Sequence, residues 1–290
     1  MSAALASDPS SASSLKWVLV TGCSSGIGRA LVGALRRRGW GVVASARRLE
    51  SLADLPSGKD LRTLVLDVTD AQSVERARRA CGDLRLVALV NNAGYGQMGP
   101  LEVMRSEELR AQFETNVIGL QAVTNAFLPL IRAHAKPGEG RIVHVASALG
   151  RMSIPFVGAY NASKHAVVAL AETLQLEIGT EIPVILVEPG VIGTAFRSTL
   201  VSGWGDVPKR VQGTRYEPAI ASYQAHREAF PGQKTMSAER CAEQIAKAID
   251  GSHPPRRLII GADSFWSQVA HRWLPAWMYE RAVRKNFGLS

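Results

Sequence analysis

The stretch KWVLVTGCSSGIGRALVGAL, residues 16–35, decides the fold. It opens with an apolar, β-branched run, as expected of a strand buried on both faces. It then changes to a helical pattern that continues to about residue 39. Gly22, Gly26 and Gly28 sit where the two meet, with Ile27 inside the turn and Ser24 and Ser25 placed to cap the helix. Glycine allows the tight turn and lets the backbone approach a pyrophosphate closely. The helix N-terminus then offers free N–H groups and the positive end of its dipole to that anion. Alone, such a turn also suits a plain strand–helix connection. At the head of an alternating chain it reads as a dinucleotide site.

The alternation continues outward from this unit. Strand candidates follow at 41–46, 61–67, 84–92, 140–147, 182–189 and 255–261, with helical patterns at 71–82, 106–132, 159–178 and 237–250. Continuous apolar strands separated by helices imply an α/β fold, a doubly wound parallel seven-stranded sheet of the Rossmann type. With no repeat and no linker, residues 15–262 read as one domain. Residues 1–14 read as a disordered tail and 263–290 as an amphipathic extension. The segment from about 194 to 236 exceeds an ordinary connection and reads as a substrate lid or a partly helical surface insertion.

Composition narrows the function. The 290 residues are 46% hydrophobic and 20% charged, an ordinary balance for a soluble domain. No apolar run approaches the roughly 20 residues needed to cross a bilayer, and the opening lacks the basic start and apolar core of a secretory signal. A cytoplasmic location is the expectation. Cys23, Cys81 and Cys241 are widely spaced and read as free structural thiols, with no metal site. The formal charge of +9 raises the question of nucleic acid, but the arginines are scattered and no aromatic-basic signature accompanies them. No nucleic-acid partner is expected.

The second strand candidate ends in SARRLE, residues 45–50. An acidic residue there would suit the ribose 2′-hydroxyl of NAD(H). Arg47 and Arg48 instead suit a 2′-phosphate through charge-assisted hydrogen bonds, so NADP(H) is favoured over NAD(H). Asp67, beside Val68 at the end of the third strand candidate, either accepts from the adenine amino group or caps a turn. Further along, Tyr160 and Lys164 stand four apart, where side chains meet on one helix face. The pair suits proton transfer, because an ammonium favours the phenolate. At about 4 Å and an effective dielectric of ~20 the attraction is roughly 4 kcal/mol, about three pKa units.

These residues resemble the short-chain dehydrogenase/reductase family over about residues 16–262. The matches are TGCSSGIG (21–28), LDV (66–68), NNAG (91–94), TN (115–116), Ser147, YNASK (160–164) and PGVIGT (189–194), with Ser147 thirteen residues before Tyr160. The resemblance implies that Tyr160 is the general acid/base and that Lys164 holds the nicotinamide ribose. Ser147 would steady the substrate oxygen, and Asn116 would position a water in a proton relay. It also implies that Asn92, Ala93 and Gly94 pack on the cofactor. Pro189, Gly190, Val191, Ile192 and Thr194 would form the carboxamide-binding turn. His144 departs from the family, standing where asparagine is common, and reads as a packed or hydrogen-bonded residue. A homo-oligomer, a dimer or tetramer, is also expected.

Candidate pocket residues are Gly96, Met98, Leu149, Met152, Phe156 and Val157, joined by Phe196, Leu200 and Trp204 from the lid. This apolar set suits a hydrophobic ketone or aldehyde that is steroid-, retinoid- or lipid-like. The similarity to family members that reduce such compounds points the same way. An NAD-preferring alcohol dehydrogenase working oxidatively, or a protein that senses NADP(H) without turnover, are the rivals. The tail 264–287 mixes tryptophan and phenylalanine with basic residues and is interrupted by Pro275. It reads as packing over the pocket or on a partner subunit, as peripheral contact with a membrane surface, or as mobile.

Overall fold

The computed structural model describes residues 15–194, 204–222 and 235–289. The expected N-terminal tail, about half of the expected lid including Phe196 and Leu200, and Ser290 lie outside those residues.

All seven strand candidates form one parallel sheet. They are β1 (Trp17–Val20), β2 (Gly41–Ala46), β3 (Leu61–Val65), β4 (Leu86–Asn91), β5 (Arg141–Val145), β6 (Val184–Pro189) and β9 (Arg257–Ile260), in the order β3-β2-β1-β4-β5-β6-β9. A two-residue ladder pairs β7 (Ile192–Gly193) with β8 (Met236–Ser237). The helices are α1 (Gly26–Arg36), α2 (Ala71–Ala80), α3 (Ser106–Phe113), α4 (Leu120–His134), α5 (Gly158–Ile178), α6 (Ala238–Asp250), α7 (Ala262–Trp273) and α8 (Ala276–Asn286).

Each face of the sheet has its own core, which is why the strands read as unbroken apolar runs. On one face, Leu31 and Leu35 of α1 and Ile245 and Ile249 of α6 pack on Val18, Val42 and Val143. On the other, Val123, Phe127 and Ile131 of α4 cover Leu19, Leu89 and Ile142. Phe127 is fully buried, so truncating it to alanine should cost about 3–5 kcal/mol. Cys23, Cys81 and Cys241 are free and buried. Desolvation raises the thiols of Cys23 and Cys241 to about 12 and that of Cys81 to about 11, so all stay protonated.

The strand order reverses between β1 and β4, opening a crevice beyond their carboxyl ends, the usual ligand position in such sheets. One expectation needs correction here. The pattern at 106–132 is not one regular helix, because a π turn, Glu114–Gly119, separates α3 from α4. Gly119 lies against β3's continuation, where an added Cβ would come 2.8 Å from the Val68 carbonyl oxygen. This long-range packing is invisible to local periodicity.

Candidate active site

At the crevice the turns after β1 and β4 are tied together. Thr21 Oγ1 accepts from the amides of Asn92 (3.0 Å) and Ala93 (2.9 Å). Asn92 Nδ2 donates to the carbonyls of Thr21 (2.9 Å) and Gly22 (3.2 Å). Gly22 and Gly26 have φ of +72° and +59°, a region where other residues are strained. A Cβ on Gly28 would lie 2.4 Å from both Asn92 Nδ2 and the Gly22 oxygen. Ser25 precedes α1 without making a side-chain cap bond, and the first turn carries no acidic residue. By contrast, Asp70 caps α2 through the Gln72 amide. The start of α1 therefore presents open N–H groups to the crevice, as an anion site needs.

Arg47 and Arg48 follow β2 and are exposed. Asp67 Oδ1 accepts from the Thr69 amide (3.0 Å) and hydroxyl (2.8 Å), so the carboxylate closes a turn. Thr194 faces the glycine turn, with its Cβ 3.3 Å from where a Cβ on Gly26 would stand. The Val191 amide donates to Asp263 Oδ2 at 2.6 Å, so the first turn of α7 fixes the segment after β6. The sequence gives no local signal for a partner so distant in the chain.

Asn116 projects from the π turn, a distortion often found at functional sites. Its Oδ1 accepts from the Tyr95 amide (3.1 Å), and its Nδ2 donates to the Tyr95 carbonyl (3.0 Å) and Ser163 Oγ (3.1 Å). One turn earlier Gln112 binds the same loop, donating to the Tyr95 carbonyl (2.8 Å) and accepting from the Gln97 amide (2.6 Å). Gln112 escaped the sequence reading, although its spacing of four from Asn116 was a usable signal. A Cβ on Gly94 would lie 3.0 Å from Asn116 Oδ1 and 3.8 Å from Lys164 Nζ, so both border one small space.

Ser147, Tyr160 and Lys164 are buried together. Ser147 Oγ accepts from the Leu149 amide (3.1 Å) and hydrogen-bonds the Tyr160 phenol. Lys164 Nζ donates to the Val145 carbonyl (2.8 Å) and lies 5.8 Å from the centroid of the Tyr160 ring. Burial pushes the phenol up to about 12 against the opposing effect of Ser147. Burial also brings the ammonium down to about 8. In the protein alone desolvation dominates the phenol, and Ser147 rather than Lys164 is what opposes it. His144 is fully buried, 3.1 Å from Asn91 Nδ2 through Nδ1. Desolvation first, and then the charge of Lys164, lowers it to about 4, so it is a neutral, hydrogen-bonded core residue.

Met98, Phe156, Val157 and Trp204 join Tyr160 in one apolar cluster, with Leu149 at its margin. Gly96 is buried. Met152 is buried and falls outside this cluster. Val207, Val211 and Ile220 complete the cluster from the segment after Trp204, with Tyr216, Phe287 and Leu289 packed at its edge. The Phe287 ring centroid lies 6.0 Å from that of Phe156, itself held at φ +66°. The tail thus packs back over the apolar side of the site.

The short chain dehydrogenase family model matches residues 16–203. The chain belongs to that family. It is 31% identical over 273 residues to an uncharacterized oxidoreductase, YbbO, of Escherichia coli K12, covering 93% of this chain and 94% of that protein. It is 30% identical over 283 residues to retinol dehydrogenase 7 of Rattus norvegicus, covering 92% and 87%. A Burkholderia cenocepacia short chain dehydrogenase solved in complex with NADP shares 25% identity and superposes with a TM-score of 0.69, covering 93% and 96%. This short-chain dehydrogenase is an oxidoreductase of alcohol and carbonyl groups.

Proposed function

We propose that the protein is an NADP(H)-dependent carbonyl reductase and alcohol dehydrogenase for hydrophobic ketones or aldehydes of steroid-, retinoid- or lipid-like character. The observation that carries the reading is the buried Ser147–Tyr160–Lys164 group, whose Tyr160 packs in the apolar cluster of Met98, Phe156, Val157 and Trp204. The similarity to a retinol dehydrogenase and to an NADP-bound structure supports it.

The residues present fit a nicotinamide dinucleotide. Gly22, Gly26 and Gly28, with Ser24, Ser25 and Ile27, would cradle the pyrophosphate at the uncapped start of α1. Arg47 and Arg48 would hold the 2′-phosphate, and Asp67 and Val68 would border the adenine. Asn92, Ala93 and Gly94 would line the ribose side. Pro189 to Ile192 and Thr194 would receive the carboxamide, and a side chain at Gly26 would fill the gap beside Thr194. Bound there, the cofactor supplies or takes the hydride.

Tyr160 then gives its proton to the oxygen on which negative charge develops. A phenol at about 12 is protonated throughout the physiological range, ready to act as an acid. This protonated form is the one that reduction uses. Ser147 donates to the same oxygen, as an oxyanion hole does. Lys164 would hold the ribose and place its charge beside the phenol, while Asn116, fixed by Tyr95 and Ser163, would position a relay water next to Nζ. The apolar cluster excludes bulk water and strengthens these interactions.

The test is Tyr160→Phe assayed with NADPH and NADH on a panel of hydrophobic ketones. Turnover should fall at least a thousandfold while NADPH binding by titration stays within about threefold. Near-normal turnover in the folded variant would remove Tyr160 from the mechanism, and a uniform preference for NADH would remove the cofactor assignment.

A further inference from the structure

The two C-terminal helices have unlike faces. In α7, Ser264 is fully buried and donates to the Glu188 carbonyl at 3.0 Å. At about 100° per residue, Trp266 and Trp273 lie roughly opposite Ser264; they are 65% and 77% exposed. In α8, Tyr279 turns inward and donates to the Ser153 carbonyl at 3.1 Å. Trp277, Arg281 and Lys285 repeat at a spacing of four on the far side, and all three are exposed. Phe265, Leu274 and Met278 are also exposed. Just beyond α8, Phe287 and Leu289 pack on the apolar cluster that contains Tyr160.

We propose that the outward face of α7 and α8 docks on the surface of a bilayer containing anionic lipid. Large aromatic side chains beside cations, on short helices with polar neighbours, are what an interfacial helix presents to headgroups and upper acyl chains. Among the described residues no helix is long and apolar enough to cross a membrane, so the contact is peripheral. Charge selects lipid over a second copy of the chain. A two-fold contact sets the same patch against itself, which would bring Arg281, Arg284 and Lys285 together with Glu280 as the sole carboxylate of α8. Anionic headgroups complement those cations. Phe287 and Leu289, directly after α8, pack on the apolar cluster, so docking would bring that cluster to where lipid-like molecules partition. This last consequence rests on the proposed function; the docking does not.

The test uses the full chain and extruded vesicles of phosphatidylcholine, alone or with phosphatidylglycerol, read by co-sedimentation. Vesicles with phosphatidylglycerol should bind at least tenfold more tightly than phosphatidylcholine alone, and added salt should weaken the binding. The variant Trp266→Ser/Trp273→Ser/Trp277→Ser should lose binding at least tenfold, and Arg281→Ala/Lys285→Ala should lose the preference for phosphatidylglycerol. Both should turn over a water-soluble ketone as the wild type does. No binding to either vesicle, or undiminished binding by the serine variant, would overturn the proposal. So would a wild-type dimer in light scattering that the serine variant abolishes without any vesicle binding, which would assign the face to a second copy. Loss of turnover in the wild type, with vesicle binding intact, would strike the catalytic reading alone.

Discussion

Lys164 gives the sharpest prediction, because its environment sets a pH at which the site should fail. Burial lowers its ammonium from 10.5 to about 8, and the Val145 carbonyl at 2.8 Å offers only a neutral acceptor. A difference of about 2.5 corresponds to about 3 kcal/mol of lost preference for the charged form. The charged fraction should therefore be about nine-tenths at pH 7 and about one-tenth at pH 9. The free enzyme's groups appear in kcat/KM for NADPH. That quantity should be level below pH 8 and fall about tenfold per unit above it. Tyr160, pushed to about 12, and the three thiols, pushed to about 11 or 12, stay silent in this window. Lys164→Arg, whose guanidinium keeps its charge beyond pH 12, should have a lower plateau but no alkaline fall up to pH 10. A profile level to pH 10 in the wild type, or the same fall in the arginine variant, would refute the assignment.

Three further outcomes follow from single contacts. Arg47→Ala should weaken NADPH about ten- to a hundredfold, from charge-assisted contacts of roughly 1.5–3 kcal/mol, while leaving NADH nearly unchanged in parallel titrations. His144, lowered by burial from 6.5 to about 4, folds as the neutral ring, so its contribution is intact above pH 6.5 and is lost as pH falls through 4. Urea unfolding should show wild type losing about 3 kcal/mol across that interval, a loss that His144→Asn removes. Phe287→Ala opens the edge of the cluster beside Phe156 and should raise KM for bulky ketones severalfold without changing NADPH affinity, as steady-state kinetics will read.

The alternation of apolar strands and helices was legible because each strand is buried on both faces and each helix covers one. The glycine turn and the Tyr160–Lys164 spacing were legible because backbone geometry dictates them locally. What escaped depends on contacts between distant parts of the chain. The π turn at Glu114–Gly119 answers to Val68. Asp263 reaches back to Val191, and Phe287 folds onto Phe156. The electrostatic balance of the pair also depends on packing between distant parts of the chain. Spacing places an ammonium near a phenol, but only the packed structure reveals how completely water is removed from both.

That removal of water acts in opposite directions on the two groups and therefore drives their pKa values apart. The phenol rises to about 12 and the ammonium falls to about 8; in each case the neutral form gains. Tyr160 is thereby kept as a proton donor, as reduction needs. The cost falls on Lys164, whose charge is useful to the site yet held by a margin of only about one pH unit at neutrality. A second positive charge nearby would erode that margin, and His144 is close enough for Lys164 to depress it. Keeping His144 neutral, through burial and its contact with Asn91, therefore protects the ammonium as well. Working in the oxidative direction would require Tyr160 to surrender its proton first. Desolvation opposes that step, and Ser147 alone does not reverse it. In that direction the positive charges of Lys164 and of an oxidised nicotinamide would have to offset the desolvation of the phenol.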